Sequence, residues 1–429
     1  MQELPRDVAA SDGRSSASRF GRIGRGRWIG SAVAAISVIL LVAAFLHVLT
    51  LPRTSPVIII SGIGGACPTA THFSQSITLS DLSMVSPDEG WAVGGVASLD
   101  QSSADGVILH YINDQWLRIS GDFAGIEFTS ISMISPTNGW LTGILSNKSP
   151  NENTVYIDDH LLYHYDGHTW QPVPFDQSAF DNNYGGSPGD LVVRMHSATD
   201  GWLMVRETTL LGNYSLLHYD GNVWRKVQSP FVSTQSTSYL FSDIRVGGPD
   251  EVWLAGEHVP GPNAVTAHYQ AGKWSTITNA TGIIDSLALT SARDGYAVDS
   301  YYNHILHFDE QHTSLVSLPD GLLHANEHLT AIFAAPDGTI WVVGDIDSLT
   351  TPASFLLHRL ADGTWKRTAI PYHNERVGEL IFTSSGDIWA VGAISYQQGC
   401  APALVRELDQ GTILHWNNGQ WSQIVEPAS

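Results

Sequence analysis

Ser132-Met133-Ile134-Ser135-Pro136-Thr137-Asn138-Gly139-Trp140 reads as a short apolar strand, a turn, and a restart on tryptophan. Six variants of it recur along the chain, at Ser86-Pro87-Asp88-Glu89-Gly90-Trp91, Ser197-Ala198-Thr199-Asp200-Gly201-Trp202, Gly248-Pro249-Asp250-Glu251-Val252-Trp253, Ser291-Ala292-Arg293-Asp294-Gly295-Tyr296, Pro336-Asp337-Gly338-Thr339-Ile340-Trp341 and Ser385-Gly386-Asp387-Ile388-Trp389. The marking aromatics lie 43 to 62 residues apart. A repeat of that length, built of short strands and turn signals, points to propeller blades.

A second block follows each copy, typified by Leu217-His218-Tyr219-Asp220-Gly221-Asn222-Val223-Trp224. It supplies one histidine per repeat: His110, His164, His218, His268, His307, His358 and His415. Six residues after five of these stands Trp116, Trp170, Trp224, Trp274 or Trp421; after His358 the gap is seven, to Trp365, and after His307 the slot holds Thr313. The fifth repeat is therefore the degenerate one, with Tyr296 and Thr313 in the tryptophan positions.

Each repeat divides into four strands. In the second they are 131–135, 140–144, 161–165 and 170–173, with a Pro-Thr-Asn-Gly turn after the first and Asp166-Gly167 after the third. Both are strong reversal signals. Twelve of the fourteen tryptophans occupy the two repeat slots. Blades that fan out from an axis leave widening gaps, and large aromatics fill them. The expected fold is all-β: a seven-bladed β-propeller of four-stranded antiparallel blades over residues 80–429, preceded by one N-terminal transmembrane helix.

That helix is the stretch Trp28 to Thr50, 23 residues without a charge and rich in Ala, Val, Ile and Leu. It is long enough to span a bilayer. Residues 1–27 carry six Arg against three acids, the composition of a disordered basic tail, and the positive-inside bias puts that tail in the cytoplasm and the propeller outside. A cleaved signal peptide ending near Val42-Ala43-Ala44 is the rival reading. Residues 51–79, with Pro52, Pro56 and Gly62, Gly64 and Gly65, form an extracytoplasmic linker.

Beyond Thr50 the chain holds 15 basic and 39 acidic residues, a net charge near -24. Nucleic acid is excluded as a partner on this ground, since phosphates need cationic contacts. The first and seventh repeats each look complete, so no strand is left to be exchanged between the chain ends. The only two cysteines, Cys67 before the first blade and Cys400 in the seventh, are expected to form a disulfide that clasps the ring outside the membrane.

An antiparallel blade puts short reversals on one face of the ring and long connections on the other. The long set includes residues 145–159, 174–190, 228–238, 258–263 and 393–403. It makes the candidate binding face, with Asn151, Glu152, Asn153, Asp158, Asp159, Asp176, Asp181, Asn182, Asn183, Tyr184, Tyr301 and Tyr302 as its polar and aromatic groups. Such groups suit a protein or glycan ligand, and loops on a rigid frame are where recognition concentrates. No catalytic, cofactor or metal residues are assigned. Seven histidines on strands that diverge around an axis cannot meet at one zinc ion, so their repetition reads as structural. There is no Gly-x-Ser-x-Gly elbow and no His-Glu-x-x-His pair of ligands.

At the level of Gly90-Trp91-Ala92-Val93-Gly94, Gly139-Trp140-Leu141-Thr142-Gly143, Asp166 to Trp170 and Asp220 to Trp224, the chain resembles bacterial Asp-box (BNR-type) propellers and photosystem II assembly factors of the YCF48 type. The resemblance covers residues 80–425 and implies the propeller architecture. The expected role is a membrane-anchored, non-enzymatic binding or scaffold module for a polar ligand or protein partner. The alternatives are a carbohydrate-active hydrolase or lyase using carboxylates at the channel mouth, and an assembly factor for a membrane complex.

Overall fold

Among the described residues, alternating apolar residues broken by Asx and Gly reversals give 28 strands and seven sheets' worth of antiparallel pairing in the computed structural model. It describes residues 75–425 apart from 99–103, 149–154, 176–187, 208–213, 232–236, 262, 310–311, 347–352, 373–374, 385, 399–405 and 418. The span 28–50, the tail before it, residues 51–74 and both cysteines lie outside the described residues.

Blade one is β1 (Gln75–Ser86), β2 (Glu89–Ser98), β3 (Ala104–Ile112) and β4 (Gln115–Arg118). Blade two is β5 (Ile126–Ser135), β6 (Asn138–Lys148), β7 (Val155–Tyr165) and β8 (Trp170–Pro172). Blade three is β9 (Pro188–Ser197), β10 (Asp200–Glu207), β11 (Tyr214–Tyr219) and β12 (Trp224–Lys226). Blade four is β13 (Ser238–Gly248), β14 (Glu251–Val259), β15 (Asn263–Gln270) and β16 (Lys273–Thr281). Blade five is β17 (Ile284–Ser291), β18 (Asp294–Asp299), β19 (His304–Asp309) and β20 (Thr313–Val316). Blade six is β21 (Glu327–Ala334), β22 (Ile340–Ile346), β23 (Ala353–Arg359) and β24 (Trp365–Ala369). Blade seven is β25 (Glu375–Ser384), β26 (Asp387–Gln398), β27 (Arg406–Asn417) and β28 (Gln420–Val425).

Among the described residues every blade is made of four consecutive strands, and none of these strands is swapped to close the ring. β1 begins at Gln75, inside the stretch read as linker. Strands also run further than the sequence spacing marks. β6 and β7 extend the second blade's middle hairpin, so Asp158 and Asp159 belong to a strand rather than a loop, with Asp159 opposite Leu145. The Asp166 reversal works through its side chain: Oδ1 accepts the backbone N–H of His168 at 2.9 Å and of Thr169 at 2.8 Å, while Gly167 takes φ +91°, a left-handed value that glycine adopts without strain.

The repeat aromatics have one job, performed seven times. Each sits near the start of a blade's second strand and lies against its own blade's histidine; Trp91–His110, Trp253–His268 and Trp389–His415 stack at 4.2, 4.1 and 3.8 Å between ring centroids. The histidine is held in turn by the residue two before the aromatic. His218 Nε2 lies 2.6 Å from Asp200, His268 Nε2 2.7 Å from Glu251, and His415 Nε2 2.6 Å from Asp387. The structural reading of the seven histidines therefore holds. Blade six breaks the pattern: Thr339 replaces the acid, and His358 Nε2 has no hydrogen-bond partner among the described residues. Burial pushes the His358 imidazole below its ordinary pKa, as it does for His164, whose partner is the neutral Asn138.

In six of the seven blades the other face of the aromatic meets the next blade at the residue after that blade's histidine, while Trp341 of blade six meets Phe382 of blade seven. Trp140 meets Tyr219, Trp202 meets Tyr269, and Trp253 meets Phe308. Blade five carries the smaller Tyr296, and the facing residue of blade six is Arg359, whose Nη1 donates to the tyrosine hydroxyl at 3.1 Å. The degenerate repeat is thus matched by its neighbour. The same contact closes the ring: Trp389 of blade seven packs on Tyr111 at 4.8 Å and edge-on to Trp116 at 5.8 Å, both of blade one. One parallel bridge, Ile77 to Gln410, adds to it. What ties the first blade to the last among the described residues is this apolar seam, which also takes in Leu82, Val391 and Ile413.

A smaller difference separates blades six and seven. Glu327 and Glu375 begin their inner strands at equivalent places. Glu327 is met by Arg367 in a two-pronged pair, both N–O distances 2.8 Å; burial works against its charge, but Arg367 and His324 together more than offset it and hold the carboxyl below the usual range. The counterpart of Arg367 in blade seven is Gln423, which donates to Glu375 at 2.5 Å beside Thr412. Burial pushes the fully enclosed Glu375 carboxyl up. A raised folded pKa contributes stability that is complete below the ordinary carboxylate range and lost as pH rises through the folded value. Glu375→Gln is therefore expected to remove part of the loss of stability as pH rises above the ordinary carboxylate range, read as a flatter plot of urea midpoint against pH.

Candidate functional site

The innermost strand of each blade runs from the long-loop face to the short-turn face. In six of the seven blades it carries a β-bulge at one level, between Leu79 and Asp81, Phe128 and Ser130, Phe241 and Asp243, Ile284 and Ser286, Leu329 and Ala331, and Val377 and Glu379. A bulge re-aims a side chain. Here it builds a polar belt at the level of Asp81, Ser130, Asp243, Ser286 and Glu379, each ten residues before its blade's aromatic. Arg194 and Arg245, each eight before, join it.

Most of the belt bonds blade to blade. The Asp81 carboxylate accepts the N–H of Ile131 at 2.9 Å and the Ser130 hydroxyl at 2.8 Å from blade two, with Arg194 of blade three at 2.9 Å. Asp243 accepts the N–H of Leu287 at 2.7 Å from blade five and pairs with Arg245 at 3.1 Å. Ser286 Oγ accepts the N–H of Ile332 of blade six at 3.1 Å. Burial works against the charge on Arg194, but Asp81, Glu379 and Asp243 more than offset it, and its pKa is raised.

Glu379 stands apart. Its blade-one counterpart to those N–H groups is Leu82, whose N–H is taken by Asp81 at 2.8 Å. The nearest cationic atom is Nη2 of Arg245, 4.0 Å away. Burial dominates and pushes its carboxyl up to about 7; Arg245 and Arg194 oppose this, and Asp81 and Asp243 add to it.

Two cavities adjoin the belt. The larger, about 550 Å³, reaches Pro336 and Gly338 in a short turn of blade six and is walled in part by Leu82, Ile131, Val246 and Leu287. The smaller, about 240 Å³, lies a residue further toward the long-loop side and is lined by Thr129, Ser242, Asp285 and Thr330 among others. Asp81, Arg194, Arg245 and Glu379 line both. Among the described residues no group of three or more His, Cys, Asp or Glu has the geometry of a metal site.

On the long-loop face, Tyr301 and Tyr302 are the described members of the expected binding set whose side chains can be placed, 56% and 44% exposed, with ring centroids 4.7 Å apart. Their backbone is pinned from below. Oδ1 of the buried Asp299 accepts the N–H groups of Ile283, Tyr301 and Tyr302 at 3.0–3.2 Å. Asn303 reaches blade six, accepting from Leu329 at 2.7 Å and donating to the Glu327 carbonyl at 2.8 Å. Asn151, Glu152, Asn153, Asp176, Asp181, Asn182, Asn183 and Tyr184 lie outside the described residues. The axial belt was missed from sequence, although its signal was present as two columns at fixed offsets from the aromatic.

No family model matches the chain, and no curated protein does. Solved structures do. One is YCF48 bound to a D1 peptide, at 14% identity and TM-score 0.35, covering 84% of this chain and 88% of that one. A puromycin-hydrolysing peptidase from Mycobacterium tuberculosis aligns at 12% identity and TM-score 0.51, over 81% of this chain and 52% of its own length, so the match spans about half of that enzyme. The lectin BP39L from Burkholderia pseudomallei aligns at 13% identity and TM-score 0.49, over 82% and 99%. At these identities the likeness is one of fold: the chain is similar to proteins built on a β-propeller.

Proposed function

We propose that this protein is a membrane-anchored, extracytoplasmic propeller that binds a polar ligand or protein partner on its long-loop face and performs no chemistry on it. The observation that carries this reading is the Tyr301–Tyr302 pair: two solvent-facing rings on a loop whose backbone is fastened to a buried carboxylate and to the next blade. Rigid aromatics with polar tips supply contact area at small entropic cost, which is why they anchor recognition surfaces. The belt carboxylates of Asp81 and Asp243 support the non-catalytic half, because each already accepts bonds that hold neighbouring blades together. A glycosidase needs two carboxyls free to work as a pair.

The test is photo-crosslinking in intact cells of the full chain, followed by membrane fractionation and identification of the captured species. A discrete partner or glycan held by the wild type, and lost on Tyr301→Ala with Tyr302→Ala while the melting temperature stays within a few degrees, is the expected result. Capture unchanged by that double replacement, or a chain recovered in the cytosol, overturns it.

A further inference from the structure

The two exposed tyrosines stand at 82° to each other with ring centroids 4.7 Å apart, close enough to touch. No group fits between them, so a ligand lies on an outer face. Tyr302 has a second ring neighbour in His304, 5.9 Å away and 22° from parallel. Among the described residues Tyr301 has no other ring beside it, and it is the more exposed of the pair. Tyr301 is therefore the open platform and Tyr302 its buttress. The turn beneath them is already ordered, by three N–H groups on Asp299 and by Asn303 on blade six, so little freedom is left to lose on binding.

Size and charge narrow what the platform takes. A large aromatic side chain buries roughly 150–250 Å², so two rings about half exposed offer about 100 Å² each. A stable protein interface takes about 800 Å² from each partner. Among the described residues the other exposed large apolar side chains are Leu117 on β4, Val223 in a short turn, Leu240 on β13 and Leu315 on β20. None is in a long-loop connection, so the tyrosines lack the apolar surround of a protein-interface core. The chain beyond Thr50 has a net charge near -24, which repels an anionic ligand. Asp299, the acid of this turn, is buried and already accepts three N–H groups, so it offers a cation nothing.

On the strength of the Tyr301–Tyr302 reading, we infer that this turn binds a neutral glycan, with one pyranose stacked on the Tyr301 ring. A pyranose whose hydroxyls are equatorial presents a face of C–H bonds, and their partial positive charge meets the negative face of the aromatic ring. One such ring matches the area on offer. The hydroxyls at its rim face outward from the stack, toward groups such as the tyrosine hydroxyls and the exposed His304 imidazole. No charge is needed on either side, in keeping with an acidic molecule whose nearest acid is already used.

The experiment is saturation-transfer NMR on the full chain in a polyoxyethylene detergent, which brings no sugar headgroup of its own. The probes are cellotetraose and chitotetraose, neutral and equatorial throughout, with tetragalacturonate and choline chloride as charged controls. The neutral tetrasaccharides are expected to bind, with transfer strongest at the C–H protons of a ring face and affinity unchanged from about 50 to about 300 mM NaCl. Tyr301→Ala should weaken binding about tenfold, and Tyr301→Phe should keep it. Binding of neither tetrasaccharide, preference for tetragalacturonate or choline, or full affinity in Tyr301→Ala overturns the inference. Transfer spread evenly over all sugar protons of the wild type also overturns it, and that readout stands even if a variant fails to fold. A protein captured in intact cells and lost with both tyrosines, while neither tetrasaccharide binds, removes the glycan and leaves the long-loop reading in place.

Discussion

Trp389→Ala is expected to lower the stability of the ring by about 3–5 kcal/mol, the cost of emptying a buried tryptophan site. That is a large part of the roughly 5–15 kcal/mol available to a folded domain. The residue is 1% exposed and is gripped on both faces, by His415 within its blade and by Tyr111 and Trp116 across the seam. The place of the loss matters as much as its size. The other six seams join blades that follow one another in the chain, so a weakened seam there is still tethered. The seam between blades seven and one joins the two ends. Trp140→Ala, at the seam of blades two and three, is the matched control, because Trp140 makes the same kind of contact with Tyr219 and Trp224. Hydrogen exchange should then separate the two. Trp389→Ala should expose amides of β1, β2, β26 and β27 before any others. If both variants open the same amides, closure rests elsewhere, and repeating the measurement in reductant shows whether a Cys67–Cys400 bond supplies it.

The seven-fold pattern was legible because each blade repeats the same physical problem. A strand must reverse over Asx and Gly, and a gap between sheets must be filled by an aromatic. Those constraints act on single positions, so they leave regular marks such as Trp91, Trp140 and Trp202. Strand ends left weaker marks. Nothing in residues 145–159 distinguishes a long hairpin from a loop, since pairing beyond the core is held by backbone bonds that any polar side chain tolerates. The axial belt was hidden for another reason. Its positions are filled by Asp, Ser, Val, Ala and Glu in different blades, and only their common distance from the aromatic joins them. The trade of Tyr296 for tryptophan was visible in one repeat, but its answer, Arg359, lies in the next and needs the neighbouring blade in view.

Arg367→Gln should reverse the sign of a pH dependence. In the wild type burial opposes the charge on Glu327, but Arg367, with His324 adding to it, keeps the carboxyl below its ordinary range. A lowered folded pKa contributes stability that is present above the unfolded value and lost as pH falls through the folded one. The glutamine variant recreates in blade six what blade seven has naturally, a buried glutamate facing Gln423, and there the carboxyl is pushed up instead. Glu327 would then contribute stability at acid pH that disappears as pH rises. At pH 7 the expected cost is about 3 kcal/mol, the low end for breaking a buried pair, because Glu327, whose side chain is 4% exposed, is left without its cation but can take up a proton. Part of that is packing, since the guanidinium also lies 4.1 Å over the Phe355 ring. Adding Glu327→Gln separates the parts: the double variant should recover most of the loss at pH 7 and little of it at pH 4. A single variant whose stability falls on acidification as steeply as the wild type would mean that the pair with Arg367 does not govern the charge of Glu327.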